Sequence, residues 1–498
     1  MRMNTVTFYA QIGLLAAGAV IPTAATWAQT PSSPDAQIVT PASKVQPAAP
    51  ETRQSTPGGE TAVKPAEGGN AGLWERANLL GDPGGFRSRL TERGISFGLS
   101  EASEVFGNAT GGTKRGVIYE GLTEFSMGLD TQKLFGWEGG TFNVSGYQIH
   151  GRGLSQNNLN NNLNTVSSLE APRGTLLFEL WYEQVFLDKK LAVRVGQLGA
   201  DQEFMISQYG NLFLNHTFGW STYPSVDLPS GGPAYPLATP GVRVKYAPRD
   251  DLALLLGVFN GDPAGPGRGI AQDRDPSGTA FRTQDGVFAI VEAQYATNQD
   301  EKAEGLPGTY KIGAWYNSQN FADQRRNATG GSLADPTGTA ALGRNRRGNW
   351  SGYAVMDQLL VREANTKDQG LGIFARVMGG PGDRNLINFY VDGGVTYKGV
   401  FPGRDSDVAG IALGVARISD TAAQLDADTR YSTGGTYPIR RHETVVELTY
   451  QAQIAPWWQV QPSAQYVFNL NGGVPNPKNP TKRLGDAAVL GLRTNVTF

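Results

Sequence analysis

From Ile95 onward apolar side chains recur at every second position in segment after segment, and clusters of turn-forming residues separate the segments. A period of two puts alternate side chains on opposite faces of a strand. The clearest runs are 117–129, 141–149, 176–186, 191–198, 287–295, 310–317, 371–377, 389–397, 445–450, 460–468 and 489–498. Weaker ones lie near 95–104, 241–247, 252–259, 350–357 and 408–417. The total is about sixteen strands, an even number, of a length that crosses a bilayer when tilted.

The region before the strands reads differently. Arg2, an apolar stretch from Phe8 to Ile21 and small residues up to Ala28 predict a secretory signal peptide over 1–28, cleaved near Ala28. Gln11 and Pro22 leave the apolar run too short for an anchor helix. Residues 29–70 are rich in Pro, Ala, Ser, Thr and Gln and predict a disordered tether, because so few large apolar groups cannot offset the entropy of ordering. Helical spacing over 73–80, a Gly-Pro breaker at 81–85 and a second run over 86–93 predict a short helical segment in 71–93.

Composition narrows the class. Forty-three Lys and Arg balance 45 Asp and Glu, which gives no basic excess for nucleic acid. The chain has no cysteine, so disulfides, thiolate metal sites and cysteine nucleophiles are excluded. Past the leader no run of about 18 apolar residues occurs, so helical membrane spans are not expected. An exported chain of this pattern is a barrel or a soluble β-rich protein, because a soluble sandwich also alternates.

Two features favour lipid on the apolar side. Aromatics gather near strand ends, as in Phe389-Tyr390 and Tyr466-Val467-Phe468, in the manner of interfacial girdles. The last strand sets Leu490, Leu492, Val496 and Phe498 in one phase and Arg493 and Asn495 in the other. In 178–186 the apolar face comprises Phe178, Leu180, Tyr182 and Phe186, against Glu179, Trp181 and Glu183. The expected fold class is all-β: a transmembrane antiparallel β-barrel of about 16 strands over 94–498, preceded by a short N-terminal helical segment.

The chain resembles the carbohydrate-selective porins of the OprB-like family over about residues 73–498. The likeness is carried by Tyr147-Gln148-Ile149-His150-Gly151-Arg152-Gly153-Leu154-Ser155, Phe178-Glu179-Leu180-Trp181-Tyr182-Glu183-Gln184 and Arg194-Val195-Gly196-Gln197-Leu198. Leu228–Pro236, Gly257–Pro263, Asp368–Arg376 and Glu447–Gln453 extend it. The resemblance implies a sixteen-stranded barrel in the cell outer membrane of a Gram-negative bacterium, with a narrowed pore that prefers glucose and similar sugars. A general, unselective or structural barrel is the alternative, and an exported soluble carbohydrate-active protein is the third.

A sugar presents hydroxyls and weakly apolar ring faces. A pore that selects it wants charged or amide side chains for the hydroxyls and an aromatic plate for the ring, with binding weak enough for exit. On the phase read as inward stand Gln148, His150 and Arg152 at one strand and its exit, and Glu179, Trp181 and Glu183 on another. Arg194 follows on the next, then Arg243 and Lys245, and farther on Arg376. Glu179, Trp181 and Glu183 share one face, either to meet sugar or to form an ion-pair ladder with Arg194. Arg243 and Lys245 read first as solvated wall charges, His150 as an ordinary lumen side chain and Trp315 equally as a girdle residue. The Gly- and Pro-rich loops 228–236 and 261–268 are candidates to fold inward, and the Asn-rich run 157–164 reads as an outer loop.

His150, His216 and His442 form no cluster at metal-ligand spacing, and neither a nucleophile elbow nor a phosphate loop is present. No catalytic residue, metal or cofactor is therefore assigned. The expected partners are small sugars in transit, outer-membrane lipids and the barrel-assembly machinery, addressed through the C-terminal strand ending in Phe498. Self-association is left open, and nucleic acid is not expected.

Overall fold

The computed structural model describes residues 72–160, 163–299, 303, 305–337, 342–364, 366 and 368–498. The expected leader 1–28 and tether 29–70 lie outside them. Sixteen antiparallel strands close into one barrel. They are β1 (Ile95–Asn108), β2 (Gly116–Asp130), β3 (Gly140–Gly151), β4 (Gly174–Phe186), β5 (Leu191–Leu198), β6 (Thr239–Arg249), β7 (Leu252–Asn260) and β8 (Val287–Thr297). There follow β9 (Gly308–Asn327), β10 (Gly343–Arg362), β11 (Gly370–Gly379), β12 (Ile387–Lys398), β13 (Val408–Ile418), β14 (His442–Ala455) and β15 (Trp458–Phe468). The closing strand, Ala487–Thr497, pairs with β15 on one side and with β1 on the other, where Glu104 stands opposite Arg493. Every strand foreseen from the sequence is present.

Closure satisfies the backbone groups of each strand from its neighbours, which hydrocarbon cannot do. The outer wall is apolar where the alternation predicts it. Leu254, Leu256 and Val258 of β7 are exposed while Leu255 and Phe259 between and beyond them are buried. A wall of that kind rules out the soluble reading. One end carries tight turns at 187–190, 250–251 and 456–457, and the other carries the long connections 152–173, 199–238, 261–286 and 419–441. Short turns face the periplasm and long loops the exterior in barrels of this kind.

The chain departs from expectation in four places. Residues 73–80 form turns, not a helix. Their groups are taken by the barrel rim: the Leu79 amide donates to Thr497 O at 2.8 Å and Trp457 Nε1 to Leu73 O at 2.8 Å, with Trp74 stacked on Trp457. The short helix that does form is Phe86–Glu92. β9 and β10 are 20 residues each, well beyond a membrane crossing, and their outer halves meet a helix, Asp420–Ser432, that the spacing did not announce. There Arg325 forms a two-bonded pair with Asp428. In β4 the register slips, so that Ser145 faces Glu179 and Gly146 faces Leu177. This bulge turns Phe178 inward onto Tyr147, ring centroids 4.8 Å apart, and removes it from the lipid face on which plain alternation puts it. Trp315 also points inward, against Phe288 and Tyr223, and its neighbour Tyr316 is the exposed one.

Leu256→Arg, on the outward row of β7, is expected to lower the free energy of unfolding from lipid vesicles by about 2–4 kcal/mol. Lys245→Arg, on an inward position of β6, should leave it nearly unchanged. Equal effects in a urea titration would contradict the assignment of faces.

Candidate functional site

A barrel of this strand number leaves a wide lumen unless something fills it. Here the connection 199–238 folds inward and crosses it. Its aromatic residues Phe204, Phe213, Phe218, Trp220 and Tyr223 are all buried, and so is the stretch 228–236. A loop in that position carries backbone groups that need partners. The barrel wall supplies them strand by strand. The Met205 amide donates to Glu292 of β8 at 2.8 Å. Ser207 Oγ and the Gln208 and Tyr209 amides converge on Asp357 of β10, at 2.6, 3.2 and 3.2 Å. The Leu214 and Asn215 amides donate to the two oxygens of Glu447 on β14 at 2.7 and 2.8 Å. Arg376 of β11 serves the carbonyls, donating to Met205, Thr217 and Gly219 at 3.0, 2.6 and 2.6 Å while paired with Asp392 of β12.

The connection 152–173 also turns inward. The Leu163 and Asn164 amides donate to Glu443 of β14 at 3.1 and 2.6 Å, and Ser168 N donates to Leu214 O of the first segment at 2.8 Å. The Asn-rich run that reads as an outer loop is thus partly drawn into the lumen, Asn164 being fully buried. Residues 161 and 162 lie outside the described residues.

What remains is a charged cluster on β4, β5 and β6. Glu183, Arg194 and Arg243 stand opposite one another on the three strands. Glu183 Oε2 accepts from Arg194 Nε at 3.1 Å and from Arg243 Nη2 at 2.5 Å. Glu203, from the inward segment, closes the ring, with Oε1 2.6 Å from Arg194 Nη1 and Oε2 2.6 Å from Arg243 Nε. Arg194 Cζ lies 3.8 Å from the centre of the Trp181 ring, a cation–π contact. Trp181 Nε1 donates to Glu179 at 3.0 Å, and the other Glu179 oxygen accepts from the Gly199 amide at 3.0 Å. Glu179 therefore both sets the indole and fixes the point where the inward segment leaves β5.

The ring is not equally accessible. Arg194 and Glu203 keep 14% and 19% of their side chains in solvent, whereas Arg243 keeps 2%. Burial would raise the Glu203 carboxyl, but Arg194 and Arg243 outweigh it and hold the group below its usual range. It stays ionised through neutral pH. Two leftover donors of one guanidinium, a carboxylate and an indole face thus reach solvent together, each held by partners behind it.

The residues expected to line the pore divide. Glu179, Trp181, Glu183, Arg194 and Arg243 gather in this cluster, and Lys245 lies on the same inward phase beside it. Gln148 and His150 do not face the lumen. Tyr147 and Ile149, which alternate with them, are the buried, inward pair, while His150 bonds Tyr119 on the outer wall at 3.0 Å. Arg152 lies exposed beyond the end of β3. Arg376 is a pin for the inward segment and has no solvent-facing surface. Glu203 escaped the sequence reading because it sits in a connection without period. The only trace of it is the acidic run Asp201-Gln202-Glu203 following a strand that already carries an arginine.

The family model described as the carbohydrate-selective porin, OprB family, matches residues 114–498. The chain belongs to that family. Porin B of Pseudomonas aeruginosa is 26% identical over 437 residues, which cover 84% of this chain and 91% of that protein. The high-pH structure of Pseudomonas putida OprB superposes with a TM-score of 0.73 at 23% identity, covering 85% of this chain and 98% of that one. The low-pH structure of the same protein gives 0.51 at 18% identity. This porin is accordingly a carbohydrate-selective channel of the outer membrane.

Arg376→Met would leave the Asp392 carboxylate without its countercharge and three loop carbonyls without a donor. Breaking a buried pair in this way costs about 3–5 kcal/mol. The porin should lose its compact, fast-migrating form on unheated gels at a lower temperature, and its single-channel current should rise as the inward segment loosens. A variant with wild-type migration and current would contradict the role given to Arg376.

Proposed function

We propose that small neutral sugars of glucose size cross at the ring of Glu183, Arg194, Glu203 and Arg243, with Trp181 as the plate for the sugar ring. The observation that carries this reading is the joint exposure of Arg194, Glu203 and Trp181 at one point of a lumen otherwise filled by the inward segment. A sugar hydroxyl both donates and accepts. Arg194 offers N–H donors and Glu203 offers lone pairs within one reach, so a hydroxyl can exchange water for both at once. The charges already neutralise each other, so a neutral solute disturbs no net charge on arrival, and its hold stays weak enough for release. Lys245 adds a cation at the edge of the ring.

The remaining expectations fit the same picture. The barrel passes solute and makes or breaks no bond. The leader 1–28 sends the chain across the inner membrane, and the closing strand with Phe498 presents it to the assembly machinery. A general pore, the second reading, has charged walls without a sugar preference.

Planar-bilayer conductance of the purified porin, titrated with glucose, separates the two. Glucose should reduce the current in a saturable way. Arg194→Ala should weaken that block about tenfold, in line with the roughly 1.5–3 kcal/mol of a hydrogen bond to a charged group. Wild-type current indifferent to glucose, or block unchanged in Arg194→Ala, would overturn the assignment.

A further inference from the structure

The outer wall has one place where its chemistry is wrong for lipid. At mid-height of β1, β2 and β3 the outward positions are polar: Glu101, Ser103, Tyr119, Thr123, Gln148 and His150. Register places Glu101, Thr123 and Gln148 in one row and Ser103, Gly121 and His150 in the next. Glu101 Oε2 accepts from Thr123 Oγ1 at 2.5 Å and Oε1 from Ser103 Oγ at 2.9 Å, with His150 Nε2 3.4 Å away. His150 also bonds Tyr119 at 3.0 Å and, through Nδ1, Gln148 at 3.0 Å. Gly121 leaves the room for this, since a Cβ there would strike the His150 ring and press on Glu101.

The island is not near an aqueous edge. Toward the periplasm it is bounded by Leu99 and Phe125, and toward the exterior by Val105, Tyr119 and Val117, all exposed. Glu101 keeps 23% of its side chain open and His150 29%. Among the described residues every other carboxylate inside a barrel strand is buried, apart from Asp130 at a strand end. On the far wall the matching outward positions are Leu254, Leu256, Val258, Val291 and Ile312. An ionisable side chain facing hydrocarbon is disfavoured and marks a place where something other than lipid meets the protein.

We propose that this face is covered by a second copy of the same chain. Three features favour that occupant. The island holds donors and acceptors together, Tyr, Ser and Thr hydroxyls and an amide beside a carboxylate, so a copy turned about a two-fold axis sets donors against acceptors without a second kind of surface. The glycines at 121 and 146, both at outward positions, lower the wall there, as small residues do at membrane interfaces. The surrounding rim of Leu99, Val105, Tyr119 and Phe125 gives an apolar collar that packs at the edge of such a contact. The pairing stacks barrels side by side and leaves each lumen separate.

The absence of native cysteine makes the test direct. Gln148→Cys in the full-length porin is oxidised in isolated outer membranes, beside Leu254→Cys on the far wall as control. The expected result is a linked band at twice the protomer mass for Gln148→Cys and none for Leu254→Cys. Native mass measurement in mild detergent should give two chains for the wild type. It should give one chain for the combined variant Glu101→Leu, Gln148→Leu, His150→Leu, which keeps its fast-migrating folded form. A wild type of one chain, linking no greater than in the control, or a linked band of another mass from a different partner would each overturn the proposal.

Discussion

The structure depends on carboxylates of the barrel wall that accept backbone amides of a loop. Sixteen strands in a closed circle enclose a lumen too broad to sort small sugars. Narrowing has to come from chain folded inward, and folded chain brings N–H and C=O groups that must be satisfied away from bulk water. Glu292, Asp357 and Glu447 take the amides of 205–215, and Arg376 takes the carbonyls of 205–219. Charge-assisted hydrogen bonds of this kind are shorter and stronger than neutral ones. They lock one path of the segment rather than permitting a family of them.

Charged lumen residues consequently have two different occupations. Those on β8 to β14 are engaged with the inward segments and have little left for a solute. Those on β4 to β6 are engaged chiefly with one another, around Glu203, which the same segment delivers. The two sets are linked through Glu179, which holds both the Gly199 amide and the Trp181 indole. Where the segment departs from the wall, the aromatic plate and the ion ring are fixed by the same side chain. Selectivity in such a pore is therefore a property of how the loop is fastened, as much as of the groups that meet sugar.

The strands were legible because lipid enforces the period: a one-residue slip would expose polar groups along a whole strand. The lumen side obeys no such rule. Tyr147 and Ile149 point inward because the inward segment provides Tyr235 and Phe178 to pack on, which reverses the polarity expected of β3 and puts Gln148 and His150 outside. Phe178 was misplaced because a bulge adds one residue to β4, and bulges leave no fixed mark in sequence. The helix Asp420–Ser432 has only Ala422 and Leu425 as buried apolar groups, too few to print a helical stripe. Of the ion ring, the strand members Glu183, Arg194 and Arg243 could be nominated from their phase. Their ring closure by Glu203 is a tertiary fact, set by the path of the connection.

The most direct test of this account is an experimental structure of the porin in complex with glucose. The account predicts sugar density against the Trp181 face, with hydroxyls within hydrogen-bond distance of Arg194 and Glu203, and the segment 199–238 in place. Sugar bound elsewhere along the lumen, or a segment lifted out of the barrel while sugar is held, would contradict it.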